Sequence, residues 1–234
     1  MKKNVNTPED PTVEALATSS AWLETNKKSL IGITVTLFVV IGAYLGYTKL
    51  YQEPREERAQ SLCTQGLGYL ASGDYATALD GEATFLGYLK IADEYAGTNG
   101  GNLAKLYAGL CYAHQNKYAE AINYLEDFDT KGDQSVSAMA LYALANCYAA
   151  EGSLDKAVST FKDAAAQADN NALSPMCLLE AGKLLESQGN AAEALKLYEQ
   201  IKNEYPTAQQ AAVTSVGNAA FAAEIDKYIQ RASK

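Results

Sequence analysis

The side chains able to do chemistry are few and poorly placed for it. His114 is the one histidine among 234 residues, so a His-rich metal site cannot be assembled, and no familiar histidine-based triad is recognisable around it. Its place in a helical run that ends at Asn116 suits a surface or groove position better than a catalyst. Gly97-Thr98-Asn99-Gly100-Gly101 is glycine-rich but lacks the lysine and the preceding strand of a phosphate-binding loop. Asp and Glu number 28, a density at which paired carboxylates are expected on solvated helix faces. Cys63, Cys111, Cys147 and Cys177 are even in number, which in an oxidising compartment raises the question of bridges. Cys111 and Cys147 precede Tyr112 and Tyr148, however, and so take equivalent sites on neighbouring helices. Packed helices lie about 8–10 Å apart, whereas a disulfide needs Cα atoms within about 7 Å. Free thiols in small packing positions are expected, and no CxxC or zinc-ligand spacing occurs. The chain reads as a non-enzyme with no catalytic residue, metal or cofactor.

The elements around these residues repeat. In the stretch 141–164, Leu141, Leu144, Ala145 and Tyr148 recur at helical spacing on one face. Gly152 breaks the run, and Ala157, Phe161 and Ala164 resume it on a second helix. One such hairpin cannot bury its own apolar face and needs copies beside it. A downstream copy carries Leu178, Ala181, Gly182, Leu185, Gly189, Ala194, Tyr198, Ile201 and Pro206. An upstream copy has Ala108, Gly109, Tyr112, Tyr118, Ala121, Leu125 and Phe128, and a fainter one has Leu62, Gly66, Tyr69, Gly73, Tyr75 and Ala78. The alanine after each turn moves from 78 to 121, then to 157 and 194. The later intervals are 36 and 37 residues and the first is 43. An insertion after Leu79-Asp80-Gly81, with apolar Phe85, Tyr88, Leu89, Ala92 and Tyr95, accounts for the longer interval and is expected to cap the stack or cover its groove. Ser174-Pro175 reads as a cap and first helical residue, and 224–233 as a final capping helix.

This pattern resembles the tetratricopeptide repeat, W-x2-L-G-x2-Y…A-x3-F…P with a period of about 34. Tryptophan is missing from every unit, and Glu82 stands where the first unit should be apolar. The fold expected is all-α: a tetratricopeptide-repeat superhelix with three clear hairpins and a degenerate first one, over residues 52–234. The charge is uneven. Residues 1–51 carry five Lys/Arg against four Asp/Glu, and the remainder fourteen against twenty-four. An acidic body argues against a nucleic-acid partner.

Leu30 to Tyr47 carries no charge. Eighteen helical residues span about 27 Å, close to the roughly 30 Å hydrocarbon core. A cleaved signal would need a small-x-small site just after the run, and Leu45-Gly46-Tyr47-Thr48-Lys49 offers a poor one. A retained single span over 29–51 is expected, with residues 1–28 as a short arm that Pro11 opens as a helix. Trp22 is suited to the headgroup layer. Lys27 and Lys28 on one side, and Lys49, Arg55 and Arg58 on the other, do not decide orientation. Gly42 and Gly46 form a small-xxx-small pair that could pack against another membrane helix; ordinary glycines in an anchor are the alternative.

With no chemistry, the remaining feature is a surface. First helices of such hairpins line the concave side. Counting from the packing positions places Leu106, Leu110 and His114, then Met139, Tyr142 and Asn146, then Leu179, Lys183 and Glu186 in a protein-binding groove, unless the inserted or C-terminal helix covers them. The Lys/Asn clamp with which some repeat proteins hold a terminal carboxylate has only Asn146 to represent it.

A short arm with ETNKKSL, one span, a charged connector and an acidic repeat body resemble the YfgM-like proteins. TFLGYLKIADEYAGTNGGNLAKLYAGLCY and EALKLYEQIKNEYP are similar to single-span repeat proteins of Bacteroidota envelopes. The resemblance implies an inner-membrane protein with its arm in the cytosol and its repeats in the periplasm. It also implies Sec translocon subunits and a membrane-anchored chaperone as partners. Two functions follow: an interaction scaffold or chaperone-like accessory of an envelope protein machine, or a self-associating structural protein.

Overall fold

The computed structural model describes residues 11–205 and 219–233, with side chains placed at 22, 25–205 and 224–233. Two compact units divide at Pro54 and Arg55. In the first, α1 (Pro11–Tyr47) is one 37-residue helix, followed by a five-residue π-helical segment, Thr48–Gln52. The arm's helix is longer than its proline alone suggests, because no proline or glycine interrupts 12–31. From Ile31 to Leu45 every side chain is exposed. Thr34 and Thr36 donate their hydroxyls to the carbonyls of Leu30 and Gly32, each at 2.9 Å. Their polarity is thereby absorbed inside the helix.

The second unit begins within α2 (Glu53–Ser72) and continues through α3 (Tyr75–Asp80), α4 (Tyr88–Glu94), α5 (Asn99–His114), α6 (Tyr118–Glu126), α7 (Gln134–Ala150), α8 (Leu154–Ala168), α9 (Ser174–Ser187), α10 (Ala191–Glu204) and α11 (Ala219–Ala232). Helices α5/α6, α7/α8 and α9/α10 are the three regular hairpins, and among the described residues no strand forms. All four turns between first and second helices close in the same way. The amides of Asp74, Lys117, Ser153 and Asn190 reach back to the carbonyls of Tyr69, Tyr112, Tyr148 and Leu185 at 2.8–2.9 Å. This six-to-one closure needs a left-handed residue just before the donor. Gly73, Gly152 and Gly189 supply it at φ near +80°, and Asn116 at φ 60°. Asparagine tolerates that region better than other side chains, so the second hairpin keeps the turn without glycine.

Small residues set how closely the helices approach. Ala78, Ala121, Ala157 and Ala194, one per hairpin, are fully buried. A Cβ on Gly109 would meet Leu125 Cγ at 2.6 Å, and one on Gly182 would meet Tyr198 Cε1 at 2.4 Å. In the third hairpin Ala145 fills the corresponding place and packs in one cluster with Phe161. Each first helix thus presents a notch to a large side chain of its second helix.

The first hairpin departs from this plan. Its second helix is broken into α3 and α4 by a loop, Gly81 to Gly87, whose seven residues match the excess of the 43-residue interval over 36. Both glycines have φ above +80°. A Cβ on Gly81 would meet the Phe85 carbonyl oxygen at 2.4 Å, and one on Gly87 the Asp80 carbonyl carbon at 2.5 Å. Glu82 therefore lies in an exposed loop, where it accepts the Tyr69 hydroxyl at 2.6 Å. Phe85 takes the apolar place, stacked on Tyr69 and edge-on to Tyr88. Helix α4 packs against α5 with Tyr88 and Ile91 fully buried, so it belongs to the core of the first hairpin.

At the start of α9, Ser174 is buried and its hydroxyl donates to the Ala165 carbonyl at 2.8 Å. Leu173 stands at the cap without a side-chain bond and Pro175 occupies the first turn. Ser137, one period earlier, is also fully buried, but its Oγ has no hydrogen-bond partner. An unpaired buried hydroxyl carries a desolvation cost of about 1–3 kcal/mol. Ser137→Ala is therefore expected to leave stability unchanged or raise it by up to about 1 kcal/mol, read as an equal or higher urea midpoint.

Candidate functional site

The nine residues expected in a groove separate into three groups. Leu106 and Leu179 are buried core side chains; Leu106 packs with Leu125, Phe128 and Leu144. Leu110, Tyr142, Lys183 and Glu186 are half-buried, and His114, Met139 and Asn146 are exposed. His114 stacks flat on Tyr75 of the first hairpin, with ring centroids 4.8 Å apart. Tyr142 meets Phe161 edge-on, and Asn146 donates back to the Tyr142 carbonyl at 2.8 Å.

Two exposed apolar residues were not among the nine. Leu67 and Met176 are 39% and 48% exposed, and Met139 is 59% exposed. Outside the first unit these three are the exposed large apolar side chains among the described residues. All sit on first helices. Met176 lies 37 residues after Met139, so the period itself carried the signal. In the first unit, a Cβ on Gly42 or Gly46 would meet nothing within 4 Å.

The C-terminal helix closes one end of this surface. In α11 Ile225 and Ala232 are buried against α9 and α10. Tyr228 lies 5.1 Å from the Tyr198 ring, with Lys183 and Arg231 over its faces. Lys202 reaches Asp226 at 2.7 Å. Arg231 forks onto both Glu186 oxygens, with Nε 2.8 Å from Oε1, and Tyr198 also donates to Glu186. Lys183 and Glu186 thus serve the seating of α11. The Arg231 hydrogen bonds, helped by Tyr198, hold the Glu186 carboxyl below the usual range against the opposing effect of burial. A depressed carboxylate contributes stability above its unfolded value of about 4.3 and loses that contribution as pH falls through its lower folded value. Melting temperature is therefore expected to fall more steeply below pH about 4.3 in the native chain than in Arg231→Gln, which lacks the linkage.

The glycine-rich loop already holds an anion from its own chain. Glu56 of α2 accepts the amides of Asn99 and Gly100 at 2.7 and 3.0 Å, and Thr98 Oγ accepts that of Gly101 at 2.9 Å. A cleft of about 270 Å³ beside it is lined by Asn102, Lys105 and Asp129. Asn102 exchanges two bonds with the Asp129 backbone, and Lys105 is tied to Asp127 at 2.6 Å.

The four cysteines are buried and unpaired. Burial pushes the thiols of Cys63, Cys111 and Cys177 up to about 12, and that of Cys147 up to about 11. The thiolate is the reactive form. The folded chain is expected to release almost no colour with a thiol-exchange reagent at pH 8, and all four equivalents in guanidinium.

The tetratricopeptide repeat-like domain family matches residues 20–219. No curated protein matches the chain. Two solved structures of Podosopora anserina TPR-like repeats, described as kinesin light chain, share the fold. One, a point variant, is 18% identical with a TM-score of 0.52, over 76% of this chain and 91% of its own. The other is 17% identical with a TM-score of 0.51, over 76% and 96%. At that identity the likeness concerns the fold. The repeat fold is in general a protein-interaction scaffold. Matched turns, notches and period, together with a family match over most of its length, make this chain a member of the tetratricopeptide repeat-like domain family.

Proposed function

We propose that the chain is a membrane-anchored, non-catalytic interaction scaffold, a chaperone-like accessory subunit of an envelope protein machine, with the Sec translocon as the machine its YfgM-like features suggest. The observation that carries this reading is α1. Among the described residues it lies in the one helix long and apolar enough to cross a membrane, and none of its apolar window is buried by protein. Such a surface in water would aggregate, whereas in lipid it is matched. Tyr44, Tyr47 and Tyr51 at one end, and Trp22 beyond the other, suit the headgroup layers. The repeats then offer partners an apolar surface outside the span, and the YfgM-like features of the sequence suggest the periplasm as its compartment.

Solubilisation in a mild detergent, followed by mass spectrometry of co-purifying proteins, tests the reading. Translocon and chaperone subunits are expected. A second reading, self-association as an envelope assembly protein, is favoured by the open face at Gly42 and Gly46, and recovery of the chain alone as an oligomer would select it. A reporter active only outside the cytoplasm, fused at the carboxyl end, tests orientation; a silent one rejects the periplasmic placement.

A further inference from the structure

Leu103, Met139 and Met176 recur at intervals of 36 and 37 residues, one on each of α5, α7 and α9. Leu103 is half-buried and the two methionines are exposed. The floor around this row is almost free of charge. Helix α2 from Ala59 onward and α7 contain no charged residue, and Lys105 of α5 is taken by Asp127. On α9, Glu180 pairs with Lys183 at 2.8 Å and Glu186 with Arg231.

The edges of the stack differ. Helices alternate in direction, so every loop from a second helix to the next first helix lies on one edge, and every turn within a hairpin on the other. In its loops the first edge carries exposed Asp127, Asp129, Asp133 and Asp169 against Lys131, with Asp93 and Glu94 at the end of α4 and Arg55 of α2 donating to the Glu94 carbonyl. In its turns the second carries Asp74 and Glu151 against Lys117, with Glu120, Asp155 and Lys156 in the adjoining first turns. The apolar row runs beside the acidic edge: Met139 is six residues from Asp133, and Met176 seven from Asp169.

We infer that this row, with the acidic edge beside it, docks a cationic amphipathic helix of a partner protein; the inference rests on the scaffold reading above and names its partner's chemistry. A docked helix laid across α5, α7 and α9 advances about 1.5 Å per residue, so a continuous apolar stripe on one face of it meets the row, and Lys or Arg along one flank of the stripe faces the carboxylates. Complementary charge of this kind sets orientation and speeds encounter. Flexible methionines accept stripes of different sequence.

The test uses the full chain in zwitterionic-lipid nanodiscs and a fluorescein-labelled 15-residue peptide with a leucine stripe and lysines on one flank, read by anisotropy against empty nanodiscs. Saturable binding is expected. It should weaken at least tenfold when the lysines become glutamates, and at least tenfold when the chain carries Met139→Lys and Met176→Lys. Both methionines are exposed, so the variant is expected to melt as the native chain does. If it does not, Met139→Gln with Met176→Gln replaces it. Equal affinity for the two peptides, affinity unchanged by the paired substitutions, or binding no greater than to empty nanodiscs overturns the inference. Should that happen while co-purification still recovers protein partners, the scaffold reading stands and only this partner chemistry falls.

Discussion

Phe161→Ala is expected to cost about 3–5 kcal/mol, the range for deleting a buried aromatic side chain. Phe161 is 1% exposed and packs in the cluster that joins the third hairpin to the fourth, through Ala145, Leu178 and Ala181. Its ring also meets Tyr142 edge-on at 5.4 Å. Ala145 is already the small partner, so no neighbour is placed to refill the cavity. In a stack where each repeat leans on the next, the loss acts at an interface as well as inside a hairpin. A urea titration followed by circular dichroism should show a clearly lower midpoint. A second, earlier transition is expected if the fourth hairpin and α11 detach before the rest. A midpoint within error of the native chain would mean that Phe161 is not a junction of the stack.

Gly101→Ala is expected to destabilise by about 1–3 kcal/mol, the cost of forcing atoms into a filled space, although alanine is the better helix former by about 1 kcal/mol. A Cβ there would stand 2.1 Å from the Tyr95 carbonyl oxygen and 2.7 Å from its carbon. Backbone cannot swing aside as a side-chain tip can. The turn it would displace also positions Thr98, which caps α5, and Gly100, whose amide bonds Glu56. Gly68→Ala is the control. It lies exposed in α2, with nothing within 4 Å of a Cβ, so the same exchange is expected to stabilise by about 0.5–1 kcal/mol. Thermal melts of the two variants should move in opposite directions, and parallel shifts would contradict the close approach of α5 to the 95–98 turn.

These two sites also show what could be read before any coordinates. The positions of Phe161, Ala157 and Tyr148 recur at a nearly fixed period, as Leu125, Ala121 and Tyr112 before them and Tyr198, Ala194 and Leu185 after. A hairpin with this pattern buries its apolar face by stacking on its copies. The all-α repeat fold, the break between helices at Gly152, and the unpaired cysteines all follow from that pattern, because each depends on local geometry or on distances set by helix packing.

The groove was harder to read. Leu106 looks like a surface position when counted along α5, yet Leu125, Phe128 and Leu144 cover it. Whether a helical side chain meets solvent depends on the neighbouring hairpin's tilt, which spacing along one helix does not encode. Met176 was within reach from the period, once Met139 was identified.

The amino-acid sequence by itself determined that this chain makes helices, that they pair and repeat, and that residues 30–47 are too apolar to face water. These are properties of periodicity and composition. The tertiary structure alone decided that Gly81 and Gly87 break a helix around Phe85, that Glu56 places its charge on the start of α5, and that Glu186 and Lys183 engage Arg231 and Tyr228 of α11. Each of these joins residues many positions apart, and only packing brings them within reach of a hydrogen bond or a van der Waals contact.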